Sequence, residues 1–222
     1  ISNILSGKNI KSEVVLFPPY IYLDPIRNII KDNNISIGAQ NCSNHVLGAY
    51  TGDISASMLS SIGCEYVIVG HSERRIGKLE SNSDIALKAN NVINSNMIPI
   101  ICLGENAKAR EEGNALKIIE NQLNESIPKN IQNKNFIIAY EPIWAIGSGN
   151  IPSLDSINEM FNMIRQWLLN NNIDKDTKIL YGGSVNKDNA KELFSCENLG
   201  GLLIGGVSLK AREFSEICLI AG

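Results

Sequence analysis

Seven short runs, apolar along both faces, set the tightest limit on how this chain can fold. They are EVVLF (13–17), ISIGA (35–39), YVIVG (66–70), IPIICLG (98–104), FIIAY (136–140), KILYG (178–182) and GLLIG (201–205). A strand that is apolar on both sides needs cover on both sides. A parallel sheet flanked by helices, or one closed on itself, provides that cover.

The stretches between the runs carry helical spacing, over 53–62, 83–95, 107–125, 155–171, 186–195 and 208–220. In SLDSINEMFNMIRQWLLNN, the residues Leu154, Ile157, Met160, Phe161, Ile164, Trp167 and Leu168 recur at three- and four-residue intervals on one face. Asp155 and Ser156 suit the first turn of that helix. Such a Trp and Met stripe is core packing. Strand–helix alternation of this kind predicts repeated βαβ units in one α/β domain over residues 1–222, with no break in composition to mark a linker. A closed (β/α)8 barrel has eight strands, and this chain supplies seven.

Composition narrows the function. Of 222 residues, 44% are hydrophobic and 19% charged, which supports a sizeable core. The net charge is −3, with the signs mixed along the chain, so no basic patch points to nucleic acid or to an anionic membrane. The apolar runs are far below the ~20 residues of a membrane helix. Five scattered cysteines without a C-x-x-C pair, and only two histidines, argue against a disulfide framework and against a metal centre. The expectation is a cytoplasmic protein with reduced thiols.

In an α/β barrel the active site is built from the loops that follow the strands. The residues just after each run are therefore the informative ones. His71-Ser72-Glu73-Arg74-Arg75 follows YVIVG, Glu105 follows IPIICLG, and Glu141 follows FIIAY. Gly182-Gly183-Ser184 and Gly205-Gly206 end the last two runs. Pro142 holds Glu141 extended and so fixes the direction of its carboxylate. His71 opens a helical turn whose dipole opposes its protonation. The glycine pairs offer backbone N–H groups suited to an anion. His45, in the polar loop SNHVLG, reads as a structural hydrogen-bonder.

Taken together, AYEPIWAIGSG, YVIVGHSERR, GAYTGDIS, YGGSV and LLIGGVSLK resemble the triosephosphate isomerase family, in its order and spacing and over essentially the whole chain. The resemblance implies a TIM (β/α)8 barrel that interconverts dihydroxyacetone phosphate and glyceraldehyde 3-phosphate without metal or organic cofactor. It implies Glu141 as the base, His71 as a neutral imidazole donating to the enediolate oxygens, and Glu73 in support. This division of labour is the family's own standard example and is taken over from it. Gly147, Ser184, Gly205 and Gly206 would bind phosphate. Trp144, Ala145, Ile146, Gly147, Ser148 and Gly149 would form a lid that closes over the substrate, with Pro152 stiffening its second hinge. Cys102 would pack behind the site. The segment NCSNHVLGAYTGD, with Thr51 near its tip, implies a homodimer.

The family also opens with a strand ending in Asn-x-Lys, and ISNILSGKNIKSEVV has no match to it. Lys8 and Lys11 fall before the first run, at the end of what reads as a first helix. Against about 250 residues for a typical barrel, 222 is roughly 30 short. The expectation is a barrel lacking its first strand and part of its first helix. An impaired or non-catalytic barrel, kept for a structural or interaction role, is the alternative reading.

Overall fold

All seven apolar runs become strands in the computed structural model, which describes residues 1–5, 7–8, 10–30, 35–147 and 149–221. These residues form two units. One comprises Glu13–Cys102 and Gln122–Ile137, and the other Ile1–Ser12, Leu103–Asn121 and Ile138–Gly222.

In the first unit, β1 (Val14–Leu16), β2 (Ile35–Ala39), β3 (Tyr66–Val69) and β4 (Ile98–Leu103) pair in parallel, in chain order. Val69 lies opposite Ile101, so the C-terminal ends of β3 and β4 are level. Helices α2 (Leu23–Ile30), α3 (Ala56–Ser61), α4 (Ser72–Gly77) and α5 (Asn82–Asn94) connect the strands. Val67 and Val69 of β3, Ile101 of β4 and Ile85, Ala89 and Val92 of α5 have no measurable exposure, and α5 packs on β3. Helix α2 was not expected. Its periodicity is hidden because Pro25 stands in LDPIRNII, at the first turn, where proline is tolerated.

In the second unit, β5 (Ile137–Tyr140), β6 (Ile179–Tyr181) and β7 (Leu199–Leu202) are again parallel neighbours. Around them are α1 (Ser2–Leu5), α6 (Ala107–Glu111), α8 (Leu154–Asn170), α9 (Ala190–Leu193) and α10 (Ala211–Ile220), while α7 (Ala115–Ser126) has its residues 115–121 in this unit and 122–126, with Ser126, in the first. Ile157, Met160, Phe161, Ile164 and Leu168 of α8 are all fully buried, as the stripe predicts. Phe161 meets Tyr140 edge-on, with ring centroids 6.3 Å apart. Ser153 caps the helix by accepting from the Ser156 amide, and Asp155 and Ser156 stand in its first turn as expected.

Two expectations shift. The helix expected over 107–125 is two helices, because Gly113 takes φ 71° and ends α6. The last strand is Leu199–Leu202 instead of 201–205. Ile179 pairs with Leu199 but Leu180 with Gly201, so Gly200 is an extra residue in a bulge. A Cβ at Gly200 would lie 2.9 Å from that of Lys178, which ties glycine to this bulge.

Four helices end in one motif, with a left-handed residue just past the last turn. The residue is Gly63 after α3, Asn96 after α5, Gly113 after α6 and Asn172 after α8. The next residue's N–H reaches back five positions, as in Met97 to Val92 (3.1 Å) and Ile173 to Leu168 (3.0 Å).

Candidate active site

Glu141 directly follows β5 and is 1% exposed. Its amide donates to the Leu103 carbonyl at 2.7 Å. Two glycines, distant in sequence, make room for it. A Cβ at Gly104 would stand 2.0 Å from the Glu141 carbonyl oxygen, and one at Gly182 would stand 2.9 Å from Glu141 Cγ. At Gly104 the Glu141 peptide leaves no room for a side chain, and at Gly182 the Glu141 side chain would have to shift to admit one. Gly182 was legible as part of a loop. Its close approach to Glu141, and that of Gly104, were not.

Glu105 is a second buried acid, at 1% exposure. Its Oε1 accepts from the Tyr140 hydroxyl at 3.1 Å and from the indole Nε1 of Trp144 at 3.0 Å. Arg110 Nη1 lies 3.9 Å from the same oxygen, and Arg110 also donates to Ser156 Oγ. Among the described residues, Oε2 of Glu105 has no hydrogen-bond partner. Burial, then the Glu105 charge, push the Tyr140 hydroxyl well above its ordinary range, so it stays a donor. The strand-end position marks Glu105 in the sequence. Its partners come from β5, the following turn and α6, which no local pattern reveals.

The lid sequence starts with a short 3-10 turn, Ile143–Ala145. Gly147 and Gly149 follow with φ of 63° and 77° and open space where a Cβ would go, so they are needed for conformation, not clearance. Ser148 lies outside the described residues. Ser184 Oγ donates to the Ala145 carbonyl at 2.5 Å, which joins the loop after β6 to the start of the lid sequence. The Asn189 side chain supports that loop by donating to the Ser184 carbonyl at 3.0 Å. Gly205 and Gly206 are exposed, after β7, and Gly206 begins the turn Gly206–Leu209.

In the other unit, His71 caps α4. Its Nδ1 accepts from the Glu73 amide at 3.3 Å. An Nδ1 that accepts this amide leaves Nε2 as the ring nitrogen able to donate. The Glu73 carboxylate is 84% exposed, and its Oε2 lies 4.0 Å from Nδ1. Thr51 is exposed in a turn closed by the Asp53 amide on the Tyr50 carbonyl at 3.0 Å. The His45 ring stacks on Tyr50, with centroids 3.5 Å apart. Val46 and Leu47, between them, are 59% and 85% exposed. Cys102 is fully buried on β4.

Parallel βα units, with buried acids and glycine-rich loops directly after the strands, are the arrangement of an α/β-barrel protein. The family model for triosephosphate isomerase matches residues 2–221. The triosephosphate isomerase of Nitrosococcus oceani is 43% identical over 217 residues, covering 96% of this chain and 87% of that protein. That of Ehrlichia chaffeensis is 44% identical over 211 residues, covering 94% and 83%. A crystal structure of triosephosphate isomerase from Bartonella henselae superposes with a TM-score of 0.87 at 36% identity, covering 94% of this chain and 85% of that one. The chain belongs to the triosephosphate isomerase family.

Proposed function

We propose that the chain interconverts dihydroxyacetone phosphate and glyceraldehyde 3-phosphate, a step of glycolysis and gluconeogenesis. The observation that carries this is the placement of Glu141, a buried carboxylate after β5 with Gly104 and Gly182 closed against it, in a chain of this family. In this reading Glu141 takes the proton from one substrate carbon and returns it to the next. His71 donates from Nε2 to the oxygens on which charge develops, which a neutral imidazole does without supplying a competing proton. Glu73 supports His71. Backbone N–H groups at Gly147, Ser184, Gly205 and Gly206 take the phosphate, and the lid from Trp144 to Gly149 excludes water from the enediolate.

Four features belong to the same proposal: a single domain, a homodimer, a cytoplasmic location and no cofactor. Exposed Val46, Leu47 and Tyr50 on the loop that carries Thr51 support the dimer. Among the described residues no helix is long and apolar enough to cross a membrane. The comparisons favour an active isomerase over an impaired or non-catalytic barrel.

A coupled assay in both directions tests the reading. The chain should turn over both triose phosphates, and Glu141→Gln should lower kcat by at least about a hundredfold. Turnover indifferent to Glu141→Gln would sink the proposal.

A further inference from the structure

The residue that fixes His71 in place is Arg75. Its side chain spreads over acceptors from four elements. Nε donates to the Gly70 carbonyl at 2.8 Å, Nη1 to Asn82 Oδ1 at 2.5 Å, and Nη2 to the Cys102 carbonyl at 2.9 Å and to Ser126 Oγ at 3.1 Å. Gly70 and Cys102 stand at the C-terminal ends of the adjacent strands β3 and β4. Asn82 opens α5, and Ser126, fully buried, closes α7. Ser126 Oγ in turn donates to Asn82 Oδ1 at 3.0 Å.

The carbonyl of Gly70 belongs to the peptide unit whose nitrogen is that of His71. The next peptide unit is held by the first turn of α4, whose Arg74 and Arg75 amides both donate to the His71 carbonyl, at 2.8 and 3.0 Å. The Arg75 guanidinium therefore fixes the peptide that precedes the imidazole. Gly70 itself has φ 72°, and a Cβ there would lie 2.8 Å from Ile85 Cδ1. The chain thus makes a left-handed turn that favours glycine, and a guanidinium holds that turn to two strand ends. Arg74, the neighbouring cation, faces elsewhere, with Nε 2.6 Å from Glu80.

We infer that Arg75 is a positioning residue for His71: its guanidinium sets the peptide that precedes the imidazole and thereby the direction in which the ring's Nε2 points. The task calls for arginine because a rigid fork of five N–H donors can reach several acceptors at once. A lysine at position 75 could hold one of them, and the peptide before His71 would be free to turn. This inference rests on the proposed role of His71 in the isomerase reaction.

The test pairs kinetics with a direct view of the ring. Arg75→Lys and the milder Ser126→Ala are compared with the unaltered chain by isomerase assay and by 15N spectra of the imidazoles. There are only two histidines, so the spectrum of His71→Gln identifies the His71 signals. Arg75→Lys should lower kcat by about tenfold to a hundredfold, the scale set by misplacing a reacting group. KM should stay within about threefold. The His71 signals should move while those of His45 stay, and Ser126→Ala should shift the same readouts less. A folded Arg75→Lys with unmoved His71 signals overturns the inference, whatever happens to kcat. If Arg75→Lys does not fold, Ser126→Ala decides by the same readouts. Displaced His71 signals in a chain without isomerase activity would remove the functional reading and keep the positioning role. Full activity sensitive to Glu141→Gln, with His71 signals indifferent to both variants, would do the reverse.

Discussion

The indole of Trp144, at the start of the lid sequence, donates to the buried Oε1 of Glu105, 39 residues earlier in the chain, at 3.0 Å. The same oxygen accepts from Tyr140, and Arg110 is the cation beside it. Donor and cation should differ in weight. Trp144→Phe removes one hydrogen bond to a charged acceptor and should cost about 1–3 kcal/mol. Arg110→Met leaves a buried carboxylate without its cation and should cost about 3–5 kcal/mol. Urea unfolding of the two variants gives the order, and the reverse order would mean that Glu105 is buried without its charge.

Gly104 and Gly182 should be intolerant of the smallest side chain. The contact at Gly104 is with backbone at 2.0 Å, so Gly104→Ala must move the peptide of Glu141. A shift of that kind is expected to lower kcat by about a hundredfold. Gly182→Ala meets Glu141 Cγ at 2.9 Å, a side-chain atom with some freedom, and should cost less. Equal activity of Gly104→Ala and wild type in the coupled assay would contradict the packing.

The start of α5 gives a pH dependence. Ser81 caps the helix and donates from both its hydroxyl and its amide to Asp84, which holds that carboxyl below its ordinary value of 3.8. A depressed folded-state pKa stabilises the fold above the unfolded value and loses that contribution as pH falls through the folded one. Asp84→Asn should therefore destabilise by about 0.5–1 kcal/mol near neutrality, at the low end for a cap because the group is screened by solvent. The difference from wild type should narrow as pH falls from the ordinary value of 3.8 through the folded one. Thermal melts at pH 7 and over a falling acid series check this; a constant gap would show that the charge plays no part.

The thiols should be silent in the native state. All five cysteines are buried. Burial pushes Cys42 up to about 12, and Cys64 and Cys218 up to about 11. The thiolate is the reactive species. Titration with a disulfide reagent at pH 8 should find almost none until denaturant is added, and then five. Prompt labelling of native Cys42 would refute the packing around it.

How much was legible follows the range of the interactions. Strand β2, Ile35–Ala39, was bounded correctly from the sequence because its apolar run is flanked by polar residues on both sides. The α8 stripe and the strand-end placement of Glu141 and His71 were likewise local signals. The break at Gly113 was passed over because a glycine within a helical pattern reads as tolerated. β7 starts two residues and ends three residues before the apolar run suggests, because a bulge at Gly200 has no periodic signature. Gly104 against Glu141, and Arg75 against Cys102 and Ser126, depend on elements brought together by the fold, and no spacing along the chain encodes them.

The two asparagines that end α5 and α8 stand where α3 and α6 use glycine. Asparagine tolerates the left-handed region and, unlike glycine, does not loosen the unfolded chain, so the two effects work against each other. At such positions the two residues are close to interchangeable. A chain whose composition drifts toward asparagine can therefore absorb part of the drift at helix ends, and a sequence comparison that scores glycine there as obligatory would misjudge it.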